Sequence, residues 1–230
     1  ALTQALQEVA RRDALALILA ANGPVFCAGH NFGDMLGTDL AQARALFETC
    51  TRMMDTLQSM PQPVIARVHA MATAAGCQLV ATCDLAIAAD TATFAIPGGE
   101  ARLFCHTPLV AVSRNLGRKR ALEMAMTGDP IDAATAAQWG LINRAVPADQ
   151  LEAATLDLIR RATRGSAMAK SVGKQAYYRQ MELPQNQAYE LACELMASGC
   201  LTPDGQEGIR AFLEKRPPVF TQRPENRSAA

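Results

Sequence analysis

The chain has 230 residues, half of them hydrophobic, enough for one large domain with its own core, and its 22 basic residues balance 22 acidic ones. That balance, with no basic block, argues against a nucleic-acid partner. No apolar stretch approaches the roughly 20 residues that cross a bilayer, and no charged leader precedes a cleavable apolar segment, so a soluble, cytoplasmic protein is expected, with no membrane partner.

In chain order, LTQALQEVARR predicts a helix over 2–11 and ALALILAA a buried strand over 14–21. A Gly-rich turn, NGPVFCAGHN, leads to a long helix over 40–59, then to the strand PVIARVH behind Pro61 and Pro63. TAAGCQLVATCD starts the next helix, over 75–83, and DLAIAAD the next strand. TFAIPGGEARLFCHTP reads as a loop-rich segment carrying two prolines. Beyond Pro108 nearly everything has helical period: GRKRALEMAMTGDPIDAATAAQWG is two helices broken at GDP, VPADQLEAATLDLIRRATRG begins a third, and 183–216 gives the terminal helices before PPVF and a polar tail. The plan is an α/β core to about residue 115 followed by a helical part that covers it or packs on another subunit.

Seven cysteines, an odd number scattered through apolar stretches, fit reduced thiols better than a disulfide scaffold. Cys27 with His30, or Cys105 with His106, is half of a metal site at most; without a CxxC pair and with only three histidines, no metal is expected.

Two turns share a design. In FCAGHN the side chains of Ala28 and Gly29, and in TAAGCQ those of Ala74, Ala75 and Gly76, are too small to keep a ligand from the main chain. The second turn also opens a helix, whose free N–H groups and positive dipole end favour negative charge. Two such amides, one from each turn, would make an oxyanion hole. Small residues also serve simply to let a helix and a strand pack closely, and neither turn is a phosphate loop.

The ordered motifs FCAGH, PVIARVHAMATAAGCQLVATCDLAIAADTATFAIPG, ALEMAMTGDPIDAATAAQWGLINRAVP and DGQEGIRAFLEKRPPVF resemble the enoyl-CoA hydratase/isomerase (crotonase) superfamily over nearly the whole chain. The resemblance implies an α/β fold, a crotonase-like (ClpP/crotonase) spiral of ββα units with a C-terminal helical trimerisation region. On this reading residues 1–115 are the spiral core, lacking an N-terminal hairpin, 116–216 the helical region and 217–230 a tail. It implies a homotrimer or a dimer of trimers that binds acyl-CoA or enoyl-CoA thioesters, coenzyme A being part of the substrate and no further cofactor being needed. Matched residue by residue, the thioester oxygen falls to the N–H groups of His30 and Ala75. Ala28 and His30 fall near coenzyme A, as do Phe212 and Lys215 in the AFLEKR segment.

The sequence departs from the pattern where protons should move. Of the two glutamates a hydratase of this family uses, the first aligns with Gln78 and the second with Gly98. An amide orients water without taking its proton, and glycine offers nothing. Glu100 and His106 are candidate substitutes, with Asp34 after the first turn a third. A lyase or isomerase with weak or absent hydratase activity is one expectation; a non-catalytic acyl-CoA-binding or interaction protein is the other. Restoring both groups, Gln78→Glu with Gly98→Glu, is expected to raise hydration above either single change. Serine peptidases of related fold need a nucleophilic serine at the second turn, and residues 74–78 contain none.

Overall fold

Two prolines deliver the chain into the central strand: after Pro61 and Pro63, β2 (Val64–Val68) is rich in β-branched residues and nearly wholly buried. In the computed structural model, which describes residues 1–98 and 103–221, β2 pairs in parallel with β4 (Leu85–Ala89), from Ile65 opposite Leu85 to Val68 opposite Ala88. β7 (Arg144–Val146) pairs in parallel with the other edge of β4, and β1 (Leu17–Ala20) borders β2, giving the order β1-β2-β4-β7. Continuous apolar burial is what a parallel strand covered on both faces requires. Polar side chains set the register: the Val64 N–H donates to Asp84 Oδ2 at 2.6 Å and the Ala86 N–H to Asn143 Oδ1 at 2.7 Å.

Three short strands form a second sheet. β3 (Ala72–Thr73) pairs in parallel with β5 (Thr93–Ala95), and β5 pairs antiparallel with β6 (Ile131–Asp132). The segment read as loop-rich therefore contains a strand. Two more strands, β6 and β7, interrupt the part read as helical, because two or three residues are too few to show a period of two. The GDP break is a helix stop: α5 (Arg118–Thr127) ends on Gly128 at φ +75, and Asp132 caps α6 (Ala133–Trp139) by accepting the Thr135 N–H at 2.7 Å.

The described chain forms two units. One holds Ile18–Leu57 and Val64–Leu158, with both sheets, α3 (Ala75–Thr82), α4 (His106–Asn115), α5, α6 and most of α2 (Leu40–Ser59). Every residue of α3 is buried, which suits a helix of small and apolar side chains at the centre of a core. The other unit comprises Ala1–Leu17, Gln58–Pro63 and the chain from Ile159 onward, with α1 (Leu2–Ala10), α8 (Ala167–Gln180), α9 (Gln185–Leu201) and α10 (Pro203–Leu213). α7 (Leu151–Ala162) carries the chain from the first unit into the second. Among the described residues no helix is long and apolar enough to cross a membrane.

A charged clasp closes the second unit. Glu207 accepts from both terminal nitrogens of Arg216, at 2.6 and 3.0 Å, and from the Val219 N–H at 2.9 Å. The Arg216 bonds first, and then the Val219 amide, lower the Glu207 pKa from 4.5 to about 2. A depressed carboxylate stabilises the fold fully above its unfolded value and progressively less as pH falls through its folded value. The melting-temperature advantage of the parent over Glu207→Gln is therefore expected to hold above pH 4.5 and to vanish on acidification to about 2. A difference that persists unchanged at the acid end would remove the clasp from the pH response.

Candidate functional site

The first small-residue turn is tied to the strand that precedes the second. The Phe26 and Cys27 N–H groups donate to Met71 O at 2.9 and 3.3 Å, and the Thr73 N–H donates to Cys27 O at 2.9 Å. Beyond this bridge Gly29 takes φ +92, a conformation glycine adopts without strain. It also has no room for a side chain: a Cβ there would sit 3.0 Å from Ala74 Cβ and 3.2 Å from Ala75 N. The two turns predicted to work together are thus in direct contact.

Ala74 is the N-cap of α3 and has φ +51 and ψ −120, with no side chain to cap the helix. An alanine in this region costs of order 1–3 kcal/mol. Its N–H is fixed by Ala95 O at 2.9 Å, and the first bond back along α3 runs from the Gln78 N–H to Ala74 O at 3.1 Å. The Ala75, Gly76 and Cys77 amides therefore belong to the open first turn. No described residue accepts from the N–H of Ala75 or of His30. Ala74→Gly is expected to raise unfolding stability by about 1 kcal/mol, the relief of strain exceeding the entropy glycine adds to the unfolded chain; a melting temperature below the parent's would refute it.

His30 follows directly. Its ring is half-buried and meets the Phe47 ring of α2 edge-on, with centroids 5.3 Å apart at 69°. Burial lowers its pKa from the ordinary 6.5, so the imidazole is neutral at physiological pH. Ala28, the neighbouring coenzyme A candidate, is exposed. Asp34 belongs to a local turn: Asn31 caps it by accepting the Gly33 N–H at 3.0 Å, and its side-chain amide donates to Asp34 Oδ1 at 3.3 Å.

Gln78 stands one turn into α3, only 5% exposed, and its Oε1 has no partner among the described residues. Gly98 is hemmed in. Its N–H donates to Cys105 Sγ at 3.3 Å, and a Cβ on it would overlap the Leu103 carbonyl oxygen and lie 2.7 Å from that sulfur and 2.8 Å from Cys105 N. The expectation that glutamates restored at both positions would act together meets this obstacle: the space a Gly98 side chain would enter is filled by the 103–105 segment. Cys105, buried at the start of α4, was singled out in the sequence only for a metal, and its place against Gly98 was missed. Burial raises its pKa, while Cys77 of α3 is pushed up to about 12 by burial and then by Cys105. Neither is a thiolate near neutral pH.

His106, the first residue of α4, is exposed and lies against the Phe104 ring with centroids 5.0 Å apart. Glu100 lies outside the described residues. Phe212 and Lys215 belong to the other unit, where Phe212 is 83% exposed and Lys215 is exposed with φ +54 just beyond α10. Among the described residues no three His, Cys, Asp or Glu side chains stand together as a metal site would need.

The chain with these buried parallel strands and touching turns belongs to the enoyl-CoA hydratase/isomerase family, whose model matches residues 1–223. Its fold is the crotonase fold. An enoyl-CoA hydratase of Mycobacterium smegmatis superimposes with a TM-score of 0.92 at 43% identity, covering 95% of this chain and 86% of that one. The human enoyl coenzyme A hydratase domain-containing protein 3 superimposes with a TM-score of 0.88 at 40% identity, covering 94% and 88%. In sequence, the mitochondrial enoyl-CoA hydratase domain-containing protein 3 of Mus musculus is 43% identical over 94% of this chain and 72% of its own length, and that of Homo sapiens 41% over 95% and 73%. These relatives are named as mitochondrial, which overturns the expectation of a cytoplasmic protein. Composition reports solubility and carries no address. Crotonase-family proteins bind acyl-CoA thioesters and are typically oligomeric.

Proposed function

We propose that this chain binds acyl-CoA or enoyl-CoA thioesters, receives the thioester oxygen on the N–H groups of His30 and Ala75, and has weak or no hydratase activity. The observation that supports the reading is that a Cβ on Gly29 would lie 3.0 Å from Ala74 Cβ and 3.2 Å from Ala75 N, so the turns bearing the His30 and Ala75 amides touch, and neither amide has an acceptor among the described residues. Donors fixed before reaction strengthen as the thioester oxygen gains charge, and each is worth about 3 kcal/mol of barrier. Ala28 and His30 on the first turn, and Phe212 and Lys215 at the end of α10, are the proposed coenzyme A contacts, the last two within a homotrimer or a dimer of trimers. No cofactor beyond the substrate's own coenzyme A is proposed. The lyase or isomerase reading rests on the two amides, and the non-catalytic binding reading on the crowding of Gly98 and the amide at Gln78.

Butyryl-CoA titrated by calorimetry tests the binding. Micromolar to millimolar affinity is expected, with Lys215→Ala about tenfold weaker at low salt and closer to the parent at high salt, as for a charge-assisted phosphate contact. Absence of binding at millimolar ligand would refute the proposal; equal affinities of parent and Lys215→Ala would remove that residue from it.

A further inference from the structure

We propose that the His30 imidazole is the proton-transfer group of this site, taking a proton from the α-carbon of the bound thioester and returning it. The assignment rests on the thioester reading above and adds the group that the two replaced glutamates leave missing.

Position is the first argument. An oxygen held by the His30 N–H lies about 2.9 Å from that nitrogen, and the thioester α-carbon is two bonds further on. The imidazole is borne by the same residue, so oxygen and base are addressed from one point of the backbone. Its ring is steadied by the edge contact with Phe47 and has no hydrogen-bond partner among the described residues. A base held by packing alone keeps its lone pair available for substrate.

The second argument is what surrounds it. Gln78 is an amide, Gly98 has no side chain, and the Cys77 and Cys105 thiols are held protonated by burial. His106 is exposed against Phe104. On the elements around His30 the ionisable groups are Cys27, Asp34 and Asp39 on its own segment and Arg44, Glu48, Cys50, Arg52 and Asp55 on α2, and none contributes to its shift, whose cause is burial.

In the step itself the neutral imidazole lone pair takes the α-proton. The C–H electron pair forms the enolate double bond, and the carbonyl pair moves onto the oxygen facing the two amides. Return of the proton regenerates thioester and neutral imidazole, so the step needs no co-reactant. Run in heavy water, it exchanges α-hydrogen for deuterium.

The test is mass-spectrometric exchange on butyryl-CoA in D2O, with calorimetric binding measured alongside. The parent is expected to exchange, with a rate that rises with pH to a plateau and a midpoint below the ordinary imidazole 6.5, as burial dictates. His30→Gln keeps the backbone N–H, and its exchange, measured at saturating butyryl-CoA, is expected to fall about 100-fold or more. Glu100→Gln is expected to exchange at the parent's rate. The assignment is overturned by parent binding without exchange, by parent-like exchange in His30→Gln, by loss in Glu100→Gln alone, or by a midpoint in the carboxylate range. Should His30→Gln also lose binding, the parent's pH midpoint and Glu100→Gln decide between the two bases. A parent that does not bind butyryl-CoA overturns the thioester reading and this assignment with it.

Discussion

Crotonyl-CoA is expected to be hydrated by this protein at about 10⁻³ per second or slower, at least four orders of magnitude below a typical enzyme. Hydration needs a base on the water and an acid at the α-carbon, each usually worth 10² to 10⁴-fold. At the two positions that would carry them stand an amide, Gln78, and a glycine, Gly98. The structure separates these positions by what each will accept. Gln78 already fills a side-chain site, and its Oε1, without a partner among the described residues, marks where a carboxylate oxygen would go, so Gln78→Glu is expected to raise hydration at least tenfold. Gly98→Glu must first displace the Leu103 carbonyl and the Cys105 backbone, and is expected to lower thermal stability and add nothing to the rate, alone or with Gln78→Glu. A stopped assay following loss of crotonyl-CoA absorbance decides it. Parent turnover near 10 per second, or a double variant faster than Gln78→Glu, would show that the site works differently.

Gly76→Ala is expected to destabilise the protein by about 3 kcal/mol and to abolish thioester binding. A methyl group there would overlap the Cys27 carbonyl oxygen and lie 2.7 Å from its carbon and 2.8 Å from Cys27 Cβ. That carbonyl accepts the Thr73 N–H at 2.9 Å, so the bond cannot yield without parting the two turns. The two effects share a cause, because the bridge that carries stability also joins the turn bearing His30 to the strand that leads into Ala75. Chemical denaturation and butyryl-CoA calorimetry on the same sample check this, and unchanged stability would mean that the bridge between Cys27 and Ala72 is softer than its geometry implies.

Much of this was legible in the chain because the signals were periodic. The Val64–Val68 and Leu85–Ala89 strands announced themselves by apolar runs, broken only at Arg67, and the small residues of FCAGHN and TAAGCQ marked where backbone would be bare. The strands at Thr93–Ala95, Ile131–Asp132 and Arg144–Val146 did not, since partners far along the chain define them. The site was legible as an inventory and illegible as a geometry. Gly98 looked like a vacancy and is a crowded contact; Cys105 looked like a failed metal ligand and is what crowds it. His30 was read for its backbone, and its packing on Phe47 depends on a helix that begins ten residues later.

Cys77, Cys83 and Cys105 are buried and Cys27 and Cys50 half-buried, whereas Cys193 and Cys200 are exposed on α9. Seven residues apart on one helix, they share a face and are separated by about 10.5 Å of axial rise. The unmodified protein thus carries two reporter positions of its own. A maleimide dye or nitroxide added at neutral pH would label this pair first, without any engineered cysteine. Self-association through that face would then be read as slowed labelling or as new dipolar couplings between chains.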